Sequence, residues 1–455
     1  MPKNCQIYNQ QSLYIGPCSL TNYHFISDDG VLNNNYTDLI GNTNLLFPIN
    51  RVFAAGYSIT APRIDVRSLG KAANVARPII NPPEITLNFD YYLMGLINEA
   101  RLGFYVNHRS GNQFTGNPLY SNRVCPISGF IDRTYSTSEE TEQHWPLSCR
   151  DRKNIFIGIK NDNLDFNDTS SSPAIKNNNI HVMAFGDCFL NSYQTSAAVN
   201  DIPKASVQYV VNNIEYHAGS SGLDIPSVNP KTYEIYSGIK FNLPNTYQGA
   251  NLPSVLKPGD ITVDIKNSTN TSPKNLSIDF NDIRIQNYNI GLDLNREPLY
   301  ALGYKLPLDR RVKFPVFTNL SFNIIPGDNQ SGSLVGLIKT DENYDITIKL
   351  RYGSNLLFTG VAIQYEFLKA KFNNISFNQT IGSRKTADLS FTSEIDPLDN
   401  TKGFFISGQL GIPQQTGDII YLGGDFDSDS ILDKILVSGN TNYLLLYNNS
   451  YTILY

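Results

Sequence analysis

The chain is short of cysteine, of charge and of long apolar runs. Its five cysteines (5, 18, 125, 149 and 188) are odd in number and show no Cys-x-x-Cys spacing. That argues against a disulfide scaffold or a zinc ribbon and predicts free, buried thiols in a reducing compartment. Only 17% of the 455 residues are charged and the net charge is −5, so an overall basic surface for nucleic acid is missing. No apolar run approaches the length of a membrane-spanning helix, which predicts no membrane insertion. The opening Met-Pro-Lys-Asn-Cys has no apolar signal-peptide core. Sequons such as Asn35-Tyr36-Thr37 are read as accidents of an Asn-rich chain. HExxH, GxSxG and P-loop signatures are missing too, so the expectation is a protein that is not an enzyme. His108, His144, Cys125 and Cys149 fall in one region but have no spacing that fixes a metal geometry.

What is present points to an all-β protein. Tyr (27) and Phe (24) are abundant, and Gly, Pro and Asn punctuate short apolar runs. The alternation of helix and strand runs expected of an α/β enzyme is missing.

One stretch occurs twice. Arg63, Leu69, Gly70, Arg77, Pro82, Leu87 and Phe89 reappear, ungapped, as Arg296, Leu302, Gly303, Arg310, Pro315, Leu320 and Phe322. A second block, Leu190 to Tyr209, resembles Phe372 to Phe391, with Asn191 matching Asn373 and Ala205 matching Ala387. Two blocks repeated in one order indicate a duplicated unit. The first unit carries about 51 more residues between its blocks, the difference between the two shifts of 233 and 182.

The chain then divides into an N-terminal arm (1–45), a first unit (46–217) with inserted loops near 105–150, a connector (218–275), a second unit (276–398) and a β-rich C-terminal region (399–455). Ile85, Leu87 and Phe89 alternate with polar residues, the mark of a half-buried strand. Leu93, Leu96, Ile97 and Ala100 form the one good helical face, ending at Gly103. Ile155, Ile157 and Ile159 match Ile346, Ile348 and Leu350. Tyr443–Tyr447 and Tyr451–Tyr455 read as a terminal hairpin.

One constellation carries chemistry. Asp425, Asp427, Asp429 and Asp433 stand at positions 1, 3, 5 and 9 of a loop. Alternate carboxylates in a tight loop aim at one centre, and a hard cation such as Ca2+ relieves their repulsion. The spacing resembles the calcium loop of FG-GAP repeats, except that Ser430 replaces the usual glycine. A structural calcium site and a solvated acidic turn are both compatible with it.

Leu69-Gly70-Lys71, Arg77, Pro82-Pro83, the strand Ile85 to Tyr91, Asn98-Glu99 and Leu102-Gly103-Phe104 are together similar to the tail tube (major tail) proteins of tailed bacteriophages. Arg296 to Pro315 is the second occurrence of that likeness. The resemblance implies tandem β-barrel or sandwich domains, each with at most one short flanking helix, and a structural virion protein located in the phage tail and assembled in the host cytoplasm. Its partners would be itself, as a homotrimer closing a pseudo-hexameric ring, and other tail proteins. DNA would pass through the stacked rings without specific binding. Arg63, Arg77, Arg296 and Arg310 are expected in intersubunit ion pairs, and the inserted loops on the outside. The alternatives are another ring component (baseplate, distal tail or neck), or a carbohydrate-binding or hydrolytic all-β protein acting at a cell surface.

Overall fold

The computed structural model describes residues 11–17, 25–26, 32–33, 46–79, 82–104, 106–108, 123, 125–131, 152–160, 180–219, 221–235, 240–243, 254–268, 284–326, 342–353, 360–379, 384–409, 419–424, 433–438, 441–445 and 451–454. Its elements begin with β1 (Gln11–Pro17), β2 (Phe25–Ile26), β3 (Leu32–Asn33), β4 (Phe47–Pro48), β5 (Val52–Thr60) and β6 (Glu84–Tyr92). A six-residue helix α1 (Ile97–Leu102), β7 (Asn107–His108) and a single turn α2 (Ser128–Ile131) follow. Next come β8 (Arg152–Lys160), β9 (Ile180–Ala198), β10 (Lys204–Val211), β11 (Asn213–Ala218), β12 (Leu223–Asp224), β13 (Lys240–Phe241) and β14 (Ile261–Asn267). The chain continues with β15 (Arg284–Asp293), β16 (Glu297–Leu299), β17 (Asp309–Arg311), β18 (Val316–Ile325), β19 (Asn343–Arg351), β20 (Val361–Asn378), β21 (Thr386–Ile395) and β22 (Gly403–Gly408). It ends with β23 (Ile419–Gly424), β24 (Asp433–Ser438), β25 (Thr441–Leu445) and β26 (Tyr451–Leu454).

The protein is all-β. Its main sheet runs β14-β19-β20-β21-β18-β15-β9-β10-β6-β5, with β1, β4, β7, β8, β11 and β22 branching from that path. Among the described residues the sheet stays open, so of the expected β-barrel or sandwich no closed barrel is seen. Strand faces follow the alternation read from the sequence. Ile85, Leu87, Phe89 and Tyr91 of β6 point into the core, as do Val316, Leu320, Phe322 and Ile324 of β18. Each such side chain contributes about 1.5–3 kcal/mol by leaving water.

Two strand sets have the same pairing scheme. In the first, β1 pairs β8, β8 pairs β9, β9 pairs both β10 and β11, β10 pairs β6, and β6 pairs β5. In the second, β14, β19, β20, β21, β22, β18 and β15 repeat those pairings in the same chain order. Registers agree as well. Ile155 faces Phe185 as Ile346 faces Phe367. The irregularities recur at matching sites: the β5–β6 register shifts between Val52 and Ala54, and the β15–β18 register between Ile285 and Asn287. Asp187 and Lys369 both take φ of 52° at matching bulges in the long strands β9 and β20. The Asp187 N–H donates to Asn154 Oδ1 and the Lys369 N–H to Asp345 Oδ1. Each bulge lets one strand serve two parts of the sheet.

The two expected glycine turns form matching hairpins. Arg63 bridges Ile79 and Val66 bridges Ala76, turning at Gly70 with φ of 78°. β16 and β17 repeat that register around Gly303, φ 82°. In each, the first arginine spans the hairpin base: Arg63 Nη1 donates to Arg77 O at 3.0 Å, and Arg296 Nη1 to Arg310 O at 2.7 Å.

Leu93, Leu96, Ile97 and Ala100 are buried as their spacing predicts, but helix forms only from Ile97. Gly103 closes it in the left-handed conformation at φ 106°. β1 lies in the segment expected to be an arm and pairs with β8 along its whole length. β14 lies in the expected connector and pairs likewise with β19. The C-terminal strands β23 to β26 form a separate antiparallel meander.

Candidate functional site: one filled seam and two open edges

The strand sets meet along β9 and β15. Their antiparallel register places Tyr193 opposite Leu292, Thr195 opposite Ile290 and Ala197 opposite Tyr288. All six residues are buried. On the other face Gln194 Nε2 donates to Asn289 Oδ1 at 2.8 Å. The seam is therefore apolar on one side and bonded by amides on the other.

Two extensions reinforce it. The β16–β17 hairpin of the second set folds back over the first. Arg296 Nε donates to Leu190 O, and its guanidinium lies 5.5 Å from the Phe189 ring centre and 5.9 Å from that of Phe130. Arg310 Nε reaches Asn212 Oδ1 at 3.4 Å, and the Lys305 and Leu306 N–H groups both donate to Pro230 O. The inserted region of the first set reaches the other way. β7 lies parallel to β22, and Arg123 Nε meets Glu366 Oε2 at 3.0 Å with both side chains largely buried. Val106, Cys125, Ile127 and Phe130 are buried in the core. The described part of the insertion is thus a brace between the strand sets, which corrects the expectation that it lies outside. Burial of its apolar residues is the physical reason. The expectation for the arginines changes too. Arg296 and Arg310 cross the seam to carbonyl and amide oxygens, while Arg77 pairs with Asp65 of its own hairpin at 2.6 Å.

The strands that match this seam elsewhere are bare. β5 corresponds to β15, and among the described residues its outer edge meets no strand. The C-terminal half of β20 corresponds to that of β9. Among the described residues it pairs β21 on one edge and nothing on the other beyond β19. The consequence shows in exposure. Tyr57 and Ile59 of β5 are 45% and 53% exposed, while their counterparts Ile290 and Leu292 are 0% and 2% exposed. Phe377 of β20 is 37% exposed, and its counterpart Thr195 is 0%. A long uncovered edge with apolar side chains is a template for another strand. The first hairpin is equally bare: Leu69 at its tip is fully exposed, as is Leu302 at the tip of the second.

The face opposite the core is mainly polar along the path, with Phe317 its exposed apolar exception on β18. One cross-strand row runs Ala54, Asp90, Ser206, Gln194, Gly291, Asn319, Thr392 and Lys371, from β5 to β20. It holds one acid and one base among amides, hydroxyls and small residues. Thr392 Oγ1 donates to Asn319 Oδ1 at 3.1 Å, which ties neighbouring strands on that face.

Of the acidic loop, Asp425, Asp427 and Asp429 lie outside the described residues. Asp433 begins β24, paired with Gly424 at the end of β23, so a hairpin pairing holds the two ends of the loop one strand spacing apart. Of the other candidates, His108 is in β7 and Cys125 is buried, while His144 and Cys149 lie outside the described residues. Among the described residues no three His, Cys, Asp or Glu side chains gather as a metal site, and no helix is long and apolar enough to cross a membrane.

The strand edges were not singled out from sequence. Their signal was present in the repeat, because Tyr57 and Ile59 fall where Ile290 and Leu292 recur. No protein-family model matches the chain, and no curated protein sequence matches it.

Proposed function

We propose that this chain is a structural subunit that assembles by strand addition, the open β5 of one copy pairing with the open half of β20 in the next. The observation that carries this reading is the β9–β15 seam, a filled version of the joint that the two outer edges leave unfilled. Transferring its register sets Phe377 opposite Tyr57 and Ile375 opposite Ile59. The contact is heterologous, so repetition gives a ring if the rotation closes. Three copies would supply six strand sets, matching the pseudo-hexameric ring implied by the tail-tube resemblance. The face opposite the core, with acids such as Glu84, Asp90, Asp388 and Glu394 and bases such as Lys204 and Lys371 among its amides and hydroxyls, would then line the bore. Bases mixed with acids suit DNA passage, since clusters of basic side chains would bind phosphate and retain the cargo. The exposed Leu69 hairpin offers a contact for a neighbouring subunit. The chain would act in a virion tail as a tube subunit, without bond chemistry. The acidic loop near Asp425 would hold a structural Ca2+.

Electron microscopy of the purified protein tests this. Stacked rings of threefold symmetry support a tube subunit. Single rings that do not stack move the reading to another tail ring component. A monomer at all concentrations, with affinity for glycans, overturns it.

A further inference from the structure

Helix α1 places a carboxylate where, among the described residues, no cation meets it. Glu99 is completely buried. Its Oε1 accepts hydrogen bonds from the Tyr91 hydroxyl at 2.9 Å and the Tyr193 hydroxyl at 3.1 Å. The Tyr193 hydroxyl lies 3.3 Å from that of Tyr365. Oε2 is buried with no hydrogen-bond partner among the described residues. Tyr91, Glu99 and Tyr193 belong to the first strand set and Tyr365 to the second, so this polar chain crosses between them inside the core.

Among the described residues the titratable groups facing Glu99 are Tyr91 from β6, Tyr193 from β9 and Tyr365 from β20. No basic group among the described residues offsets its charge. On its own helix, Arg101 turns away to donate to Pro48 O and lie over Phe47. Arg123 is committed to Glu366. Burying a carboxylate without a counter-ion disfavours its charged form. Burial accordingly pushes Glu99 up to about 7.

We propose that Glu99 is a proton-operated lock between the two strand sets. Neutral, it holds the Tyr91, Tyr193 and Tyr365 hydroxyls in one network. Ionised, it leaves in the core where the sets meet a charge that its two tyrosine hydrogen bonds offset only in part, and loosens them. The device is particular to the joint within the chain. At the matching places in the second set stand Ile324 and Ile375 instead of Tyr91 and Tyr193, so the open edges carry no copy of it. The inference rests on the geometry of a single chain and holds whether or not copies assemble.

The direction follows from linkage. The folded chain keeps a proton that the unfolded chain releases near 4.5. The stabilisation is whole below that value and is lost as pH rises toward 7.

The test is denaturant unfolding of the full chain and of Glu99→Gln across that range. The wild-type unfolding constant should rise roughly 100-fold more than that of the variant between acid and mildly alkaline pH. Parallel pH profiles for the two proteins would overturn the proposal. Infrared titration of the folded wild type gives a readout that does not need the variant to fold. One protonated carboxyl should persist at about pH 6 and be gone by about pH 8.5. Finding no protonated carboxyl above about pH 5.5 would overturn the proposal equally.

Discussion

Ile290 and Tyr57 occupy the same place in two copies of one strand, and only Ile290 is covered. Ile290 faces Thr195 across the β9–β15 seam and is 0% exposed. Tyr57 has β6 on one side, no strand on the other among the described residues, and is 45% exposed. The surrounding pairings, bulges and registers match. The difference therefore lies in the missing neighbour and not in the strand.

The first prediction separates the filled joint from the open one. Leu292→Ala removes a side chain buried in the seam and should destabilise the isolated chain by about 2–5 kcal/mol. Ile59→Ala, at the matching position, should change the chain's own stability by less than about 1 kcal/mol. It should instead weaken association. Denaturant melts below the assembling concentration, set beside sedimentation above it, measure both effects.

The second concerns register. If Phe377 faces Tyr57, then Phe377→Asp or Tyr57→Lys alone buries an unpaired charge in the joint and should weaken association at least about 100-fold. The two changes together place opposite charges across from each other and should restore much of the loss. Light scattering of the three variants checks this. Failure of the pair to recover would show that the register is different.

A third contrast uses the two hairpin arginines. Arg296 donates to Leu190 O and Arg310 O and lies over two aromatic rings. Arg296→Ala should cost the chain about 1–3 kcal/mol in a thermal or denaturant melt. Arg63 makes the corresponding hydrogen bond within its own, exposed hairpin. Arg63→Ala should leave the melt of the chain nearly unchanged.

The acidic loop supplies a fourth. If Asp425, Asp427, Asp429 and Asp433 hold Ca2+, then adding a chelator should lower the melting temperature by several degrees, and Asp427→Ala should abolish that response. Equal melting with and without chelator would assign the loop to a solvated turn.

Much of the fold was legible in the residues. The repeated blocks fall on β6 and β18, and on the β9–β10 and β20–β21 pairs. The alternation of Ile85, Leu87 and Phe89 marked the inward face, and Gly70, Gly103 and Gly303 marked backbone turns that need positive φ. β1 and β14 escaped notice as a matched pair because a sheet strand constrains residue type mainly at its inward positions. The joint escaped for another reason. Apolar residues such as Tyr193 and Leu292 look the same in a core, a seam or an interface, and the β9–β15 pairing is long-range. Glu99 was quoted only as part of the family likeness. Its neighbours Leu96, Ile97 and Ala100 defined an apolar face, and nothing local signalled that this short helix is buried on its other sides as well.

The central claim is that β5 of one copy continues the β20 sheet of another in the register of the β9–β15 seam. Cysteine cross-linking tests it most directly, because directly opposed antiparallel residues lie about 4.5–5.5 Å apart at Cα, within disulfide range. The Tyr57→Cys, Phe377→Cys double variant, oxidised after assembly, should give covalent dimers and trimers on non-reducing gels, and each single variant should give neither of these ladders. Monomer alone from the double variant, or equal cross-linking when Asn378→Cys replaces Phe377→Cys, would contradict the account.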